Sequence, residues 1–130
     1  MVDDITAQGT AAWVAEQLAP ASIDDSVVEG WLAGYSTLTN TNAQNWAVLG
    51  QEGGQRRIQG ELMHHTLVRA VYSRRQLYEM MCDFWHNHLN VHLLTRYSWR
   101  HLTTEYDRTV IRPHALGRFA DMLLASAKSP

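Results

Sequence analysis

Apolar and polar positions follow the helical period along almost the whole chain. Ile5, Trp13, Val14, Ala15 and Leu18 form one apolar side, which predicts a first helix over Asp3 to Leu18, stopped by Pro20. Asp24, Asp25 and Ser26 supply helix-start chemistry, and Val27, Val28, Trp31 and Leu32 give the inward face of a short helix reaching Tyr35. Ser36 to Gly54 is rich in Thr, Asn, Gln and Gly, and reads as a polar loop with room for one helical turn around Trp46. The Gly53-Gly54 turn closes it. From Gln55 a long helix is predicted, because Ile58, Leu62, Met63, Leu67, Val68 and Val71 recur at one-face spacing.

Ser73 and Gln76 have the form of a capping box, which opens a helix with Leu77, Met80, Met81, Phe84 and His88 on one stripe. An irregular turn follows at Asn90 to Tyr97, then a helix from Ser98 to Ile111. Pro113 suits the first turn of a last helix carrying Leu116, Phe119, Ala120, Leu123 and Leu124. No strand pattern, repeat or low-complexity tract interrupts this order. The expected fold is all-α: a single irregular helical bundle of about five to six helices over residues 1–130, part of a larger helical protein. Within it, 1–35 form acidic N-terminal helices, 36–54 the polar loop and 55–130 an Arg/His-rich helical core. The last helix is still apolar at Lys128-Ser129-Pro130, so its face requires a cover: the remainder of its own polypeptide or a homo-oligomer.

Composition places the chain in the globular class, with 45% hydrophobic residues and five Trp. No apolar run reaches the roughly 18 residues a membrane span needs. No basic start or apolar signal core is present, and compartment is not legible. The net charge of -2 hides a split. Residues 1–55 carry seven acidic residues and no Lys or Arg, whereas 56–130 carry all eleven basic residues and all seven histidines. An anionic polymer bound by the Arg-rich half is one reading of this asymmetry; two halves packing on each other is the other. The arginines are scattered and form no stripe, which disfavours nucleic acid.

The histidines raise the question of a divalent metal as cofactor. His86 and His88 are two apart, about 200° around a helix, and share an ion only where the helix has ended. His88 and His92 are four apart and lie on one face, as do Cys82 and His86. Each pair supplies two ligands, and His114 or His101 must complete a set from another helix. Without a metal, His88 is a core histidine in a polar network with Asn87 and Arg112. Glu61 with His64, and Asp83 with His86, match the Glu-x-x-His spacing of di-iron bundles, with Glu79 and Glu105 as further carboxylates. For acid–base catalysis, His88 or His114 beside Glu105 or Asp107 is the available pairing, with Arg112 as a further candidate. Trp46 in the polar loop is a candidate for surface or ligand contact. Cys82, the only cysteine, forms no internal disulfide and reads as a packed thiol.

Three segments carry a resemblance. Arg69-Ala70-Val71-Tyr72-Ser73-Arg74-Arg75-Gln76-Leu77, Phe84-Trp85-His86-Asn87-His88-Leu89-Asn90-Val91 and Ile111-Arg112-Pro113-His114-Ala115-Leu116-Gly117-Arg118-Phe119 resemble, in this order, the bacterial domain-of-unknown-function 1800 family. The first 55 residues are only loosely similar. The family's central pattern, Phe-Trp-x-Asn-His-Phe, is met at Phe84, Trp85, Asn87 and His88 and departed from at Leu89, while His86 fills its variable slot. Arg112, Pro113 and His114 also match. The resemblance implies an N-terminal fragment of a protein several hundred residues long, and it implies no activity. The functional expectations are a helical scaffold or interaction segment, a metal- or polar-ligand-binding enzyme segment around Trp85-Asn87-His88 and Arg112-His114, and anionic-polymer binding.

Overall fold

The computed structural model describes residues 2–89 and 97–129, and every regular element among them is helical. The predicted first helix is two: α1 (Val2–Gln8) and α2 (Thr10–Gln17). Gly9 breaks them apart at φ 83°, a backbone region that residues with a Cβ avoid. After a 3₁₀ turn at Pro20–Ser22, α3 (Ser26–Leu32) begins where Asp24 accepts a hydrogen bond from the Ser26 amide. Val28 and Leu32 of α3 pack on Val68, but Val27 and Trp31 face outward.

The predicted loop at 36–54 is largely helical. A 3₁₀ turn spans Ser36–Leu38 and α4 spans Asn42–Leu49. The Thr41 hydroxyl accepts from the Gln44 amide while the Gln44 side chain returns to Thr41, a capping box within the polar stretch. Its polar residues are consumed internally: Asn45 is fully buried and donates to the Thr37 carbonyl and the Thr104 hydroxyl. Polar composition therefore signalled internal hydrogen bonding, not a loop.

At the corner into α5 (Gly54–Tyr72), Gly53 adopts φ 72° and Gly54 sits against the end of α4. α5 buries Ile58, Leu62 and Val68, together with His65 and Arg69, while Met63, Leu67 and Val71 face away. Ser73 ends α5 and does not open a capping box for α6 (Gln76–His88). Its hydroxyl donates to Asp25 and accepts from the Arg75 amide, and the Gln76 side chain donates to the Ser73 carbonyl. The expected turn at Asn90–Val91 and on to Arg96 lies outside the described residues.

A 3₁₀ segment at Tyr97–Leu102 leads into α7 (Thr103–Tyr106), a π-helical turn at Asp107–Ile111, and α8 (Arg112–His114). Pro113 thus lies within a continuing helical run and not at the start of the last helix. α9 begins later than expected, at Phe119–Lys128. Proline cannot donate an amide hydrogen, and wider turns and side-chain donors relieve such gaps. The carbonyl one turn before Pro113 is that of Thr109; next to it, the His114 ring donates to the Val110 carbonyl. Cys82, Tyr106, Val110, Ile111 and Ala115 form a core cluster that Tyr78, Met81 and Trp85 complete. None of the described helices is long and apolar enough to cross a membrane.

The Gly54 corner tolerates no side chain, because a Cβ there falls 1.7 Å from the Val48 carbonyl oxygen. Gly54→Ala is expected to lower unfolding free energy by more than ~2 kcal/mol. Urea denaturation measures this, and an unchanged midpoint refutes the close approach.

Candidate functional site

The buried interior of α5 and α6 is ionic. Arg69, on the inward face of α5, donates two hydrogen bonds to Glu29 of α3 at 3.1 and 2.8 Å. The same guanidinium lies 3.7 Å from Asp25 and 3.7 Å from Glu79. Glu79, buried on α6, in turn accepts from Arg112 at 2.5 Å. Arg112 stacks over the Tyr78 ring, and the Tyr78 hydroxyl donates to the Arg112 carbonyl at 2.7 Å. Asp25 is held by the Ser73 hydroxyl and the Arg74 amide. Arg75 closes the far edge, donating twice to the Ile23 carbonyl.

Two histidines flank this array. His86 pairs through Nε2 with Asp107 at 2.7 Å. Burial works to raise the Asp107 carboxyl, but the His86 hydrogen bond and the Arg112 charge outweigh it and hold the group below the usual carboxylate range. Asp107 is therefore an ionised acceptor, and His86 Nε2 carries the proton. His65 accepts from Arg69 Nε at 2.7 Å through Nε2, so its proton sits on Nδ1, which is buried without a hydrogen-bond partner among the described residues. Burial first, then the charge of Arg112, pushes His65 down to about 4. Burial likewise pushes Cys82 and Tyr78 up to about 12, which makes Cys82 an inert thiol. Burial opposes the Arg112 charge, but Glu79 and Asp107 prevail and raise its pKa above the ordinary value.

The expected network of Asn87, His88 and Arg112 does not assemble. Asn87 is exposed and donates to the Asp83 carbonyl one turn back. His88 is exposed too: its ring stacks on Phe84 and meets Trp85 and Phe119 edge-on. Arg112 alone of the three joins the ionic array. His86, assigned to a variable slot, supplies the histidine–carboxylate pair that was expected of His88 or His114. The Asp107 carboxylate approaches from behind α6, on the side that His86 and Cys82 share.

The other candidates disperse. His114 bonds the Val110 carbonyl, and His92 lies outside the described residues. Glu61 accepts from Thr37 and Arg57 while His64 meets Tyr35, so their helical spacing serves two separate contacts. Glu105 accepts from the Asn42 amide. No group of three metal-ligating side chains forms among the described residues. Trp46 is exposed as expected, but on α4, edge-on to His101. An open cleft of about 520 Å³ beside Trp13, Glu16, Gln17, Tyr72 and Arg74 went unnoticed in the sequence. Its glutamines are already bonded, Gln8 to Glu16 and Gln17 to the Arg74 carbonyl and Leu77 amide.

All three sequence segments do meet at this core. The first supplies Arg69, Ser73 and Arg75; the second is joined to the third where Trp85 donates to the Ala115 carbonyl at 3.1 Å. The family profile for proteins of unknown function named DUF1800 matches residues 1–130. The chain belongs to the DUF1800 family. No curated protein and no solved structure matches it. Family membership agrees with an unknown function and adds no reaction to the site.

Two outcomes test the ionic core. Because the His65 pKa is depressed in the folded state, the unfolded chain binds more protons between about pH 6.5 and 4. Stability is full above that window and is lost as pH falls through it, and His65→Gln is expected to flatten urea midpoints measured across it. Glu79→Gln leaves the Arg112 guanidinium facing a neutral amide, while Arg69 keeps Glu29 and Asp25, and is expected to cost about 3–5 kcal/mol in denaturant unfolding. A cost below ~1 kcal/mol overturns the buried-pair reading.

Proposed function

We propose that the chain is a helical scaffold segment: an ion-braced frame that holds an aromatic face outward for another protein surface. The observation that carries this reading is the exposed cluster on α6 and α9. Phe84, His88 and Phe119 are exposed and meet around the half-buried Trp85, and Leu116, Leu123 and Leu124 lie exposed along the same C-terminal region. Among the α9 side chains, Met122 is buried completely while its large neighbours stay in water. Aromatics and leucines exposed together mark a contact surface more often than a solvated one. The partner is further polypeptide of the same protein, or another copy, that covers α9.

Two observations weigh against the other functions. Of the arginines that suggested an anionic partner, Arg69 and Arg75 are engaged with the acidic N-terminal half and Arg112 with Glu79, and Arg108 is tied at the surface to the Thr39 carbonyl. Of the histidines that suggested a metal, the described ones meet separate partners: His86 the Asp107 carboxylate, His88 the Phe84 ring and His114 the Val110 carbonyl.

Dye binding and elemental analysis separate these readings. The purified chain is expected to enhance the fluorescence of a hydrophobic dye. Phe119→Ser with Leu123→Ser is expected to remove at least half of that signal with little change in Tm, since both side chains are exposed. Metal at about one equivalent, released by His86→Ala, supports the enzymatic reading and sinks the scaffold.

A further inference from the structure

A second apolar surface lies away from α9, on the outer side of α5. This helix is apolar on both sides: Ile58, Leu62 and Val68 point inward together with Arg69 and His65, and Met63, Leu67 and Val71 point outward. These three stand four residues apart, so they form one continuous ridge. The ridge lies about half a turn from the buried line of Ile58, Leu62 and Arg69. Between Arg57 and Arg74, every exposed position of the helix is uncharged: Gly60, Met63, His64, Thr66, Leu67, Ala70, Val71 and Tyr72. Trp31 of α3 meets Tyr72 edge-on at 5.2 Å, and Val27 lies one turn before Trp31. Val27, Trp31, Met63, Leu67, Val71 and Tyr72 are each 55–64% exposed.

We infer that this face is the contact between two copies of the chain, related by a twofold axis across α5. Area supports it. At these exposures the six side chains offer on the order of 500 Å² of apolar surface. Apolar atoms supply ~56–65% of an interface, so the footprint is about 800 Å² per partner, the size of a standard stable interface. Shape supports a copy of the same helix. The side chains beside the ridge, Thr66 and Ala70, are small and exposed, and the Thr66 hydroxyl is already bonded to the Leu62 carbonyl. A twofold operation lays each ridge over the other's small side chains, the packing that i±4 ridges favour. Charge supports it as well, because a self-contact brings like groups together. Around the axis the exposed positions of α5 have no charge to repel.

Sedimentation of the chain tests the inference. A dimer with Kd at or below ~10 µM is expected, and Leu67→Glu is expected to raise Kd at least tenfold at unchanged Tm, because Leu67 is exposed in the single copy. Cys82 is the only native cysteine and is buried, so Leu67→Cys reports the axis directly. Under mild oxidant it is expected to form a covalent dimer, whereas Ala43→Cys on α4 does not. A chain that stays monomeric at ~100 µM overturns the proposal, even if Leu67→Glu reduces dye binding, since the face then serves another protein. A dimer that survives Leu67→Glu but dissociates with Phe119→Ser and Leu123→Ser overturns it too, and places self-association on the α9 surface.

Discussion

Two guanidinium groups, Arg69 and Arg112, are taken out of water in the middle of this molecule, and the packing around them is arranged to meet that cost. An unpaired buried charge costs several kcal/mol. Glu29, Asp25 and Glu79 surround Arg69, while Glu79 also holds Arg112; the His86 hydrogen bond, with the Arg112 charge behind it, keeps Asp107 ionised against its burial. The residues come from α3 and the residue before it, α5, α6, the π turn and α8, so these helices are fixed in rotation by ions as well as by side-chain packing. Replacing a buried ion pair with apolar groups of like volume is often neutral or stabilising, so the array is best understood as specifying register. The apolar cluster of Cys82, Tyr106, Val110, Ile111 and Ala115 then fills the space beside it.

Several of these features are visible in the chain of residues, and the physics explains which. The all-helical class follows from periodicity, and the charge split follows from the pairing of Asp25 and Glu29 with Arg69 and Arg75. Helix faces were harder. Met63, Leu67 and Val71 share a stripe by spacing, yet Arg69 occupies the interior because Asp25 and Glu29 at the start of α3 and Glu79 of α6 surround it, and His65 lies inside beside it as an acceptor of its Nε–H. Single-sequence patterning assigns the apolar side inward and cannot anticipate a paired arginine there. The stretch 36–54 misled for a related reason. Asn45 is polar because its amide donates to the Thr37 carbonyl and the Thr104 hydroxyl in a dry interior, Thr37 because its hydroxyl donates to Glu61, and the Thr41–Gln44 cap was hidden among similar residues.

The histidines show the same limit. Spacing along one helix correctly separated His86 from His88, and the two do face different surroundings. Which of them would meet a carboxylate depended on where a residue 21 positions later lands, and no local pattern encodes that. Trp85 and the Ile111–Ala115 region were expected side by side, and they are, through an indole donor and not through the asparagine and histidine that follow it.

The π turn at Asp107–Ile111 has a consequence for how this protein can vary. The Arg112 amide reaches back five residues to the Asp107 carbonyl, one residue more than an α turn encloses. The wider turn sweeps nearly the same angle with five residues that an α turn sweeps with four. Removing one residue there lets the run close as an ordinary α turn, and the segments on either side keep nearly the same rotational phase. A change of one residue in chain length is therefore absorbed locally at this turn, whereas the same change in the α-helical stretch of α6 would rotate His86 away from Asp107 by about 100°.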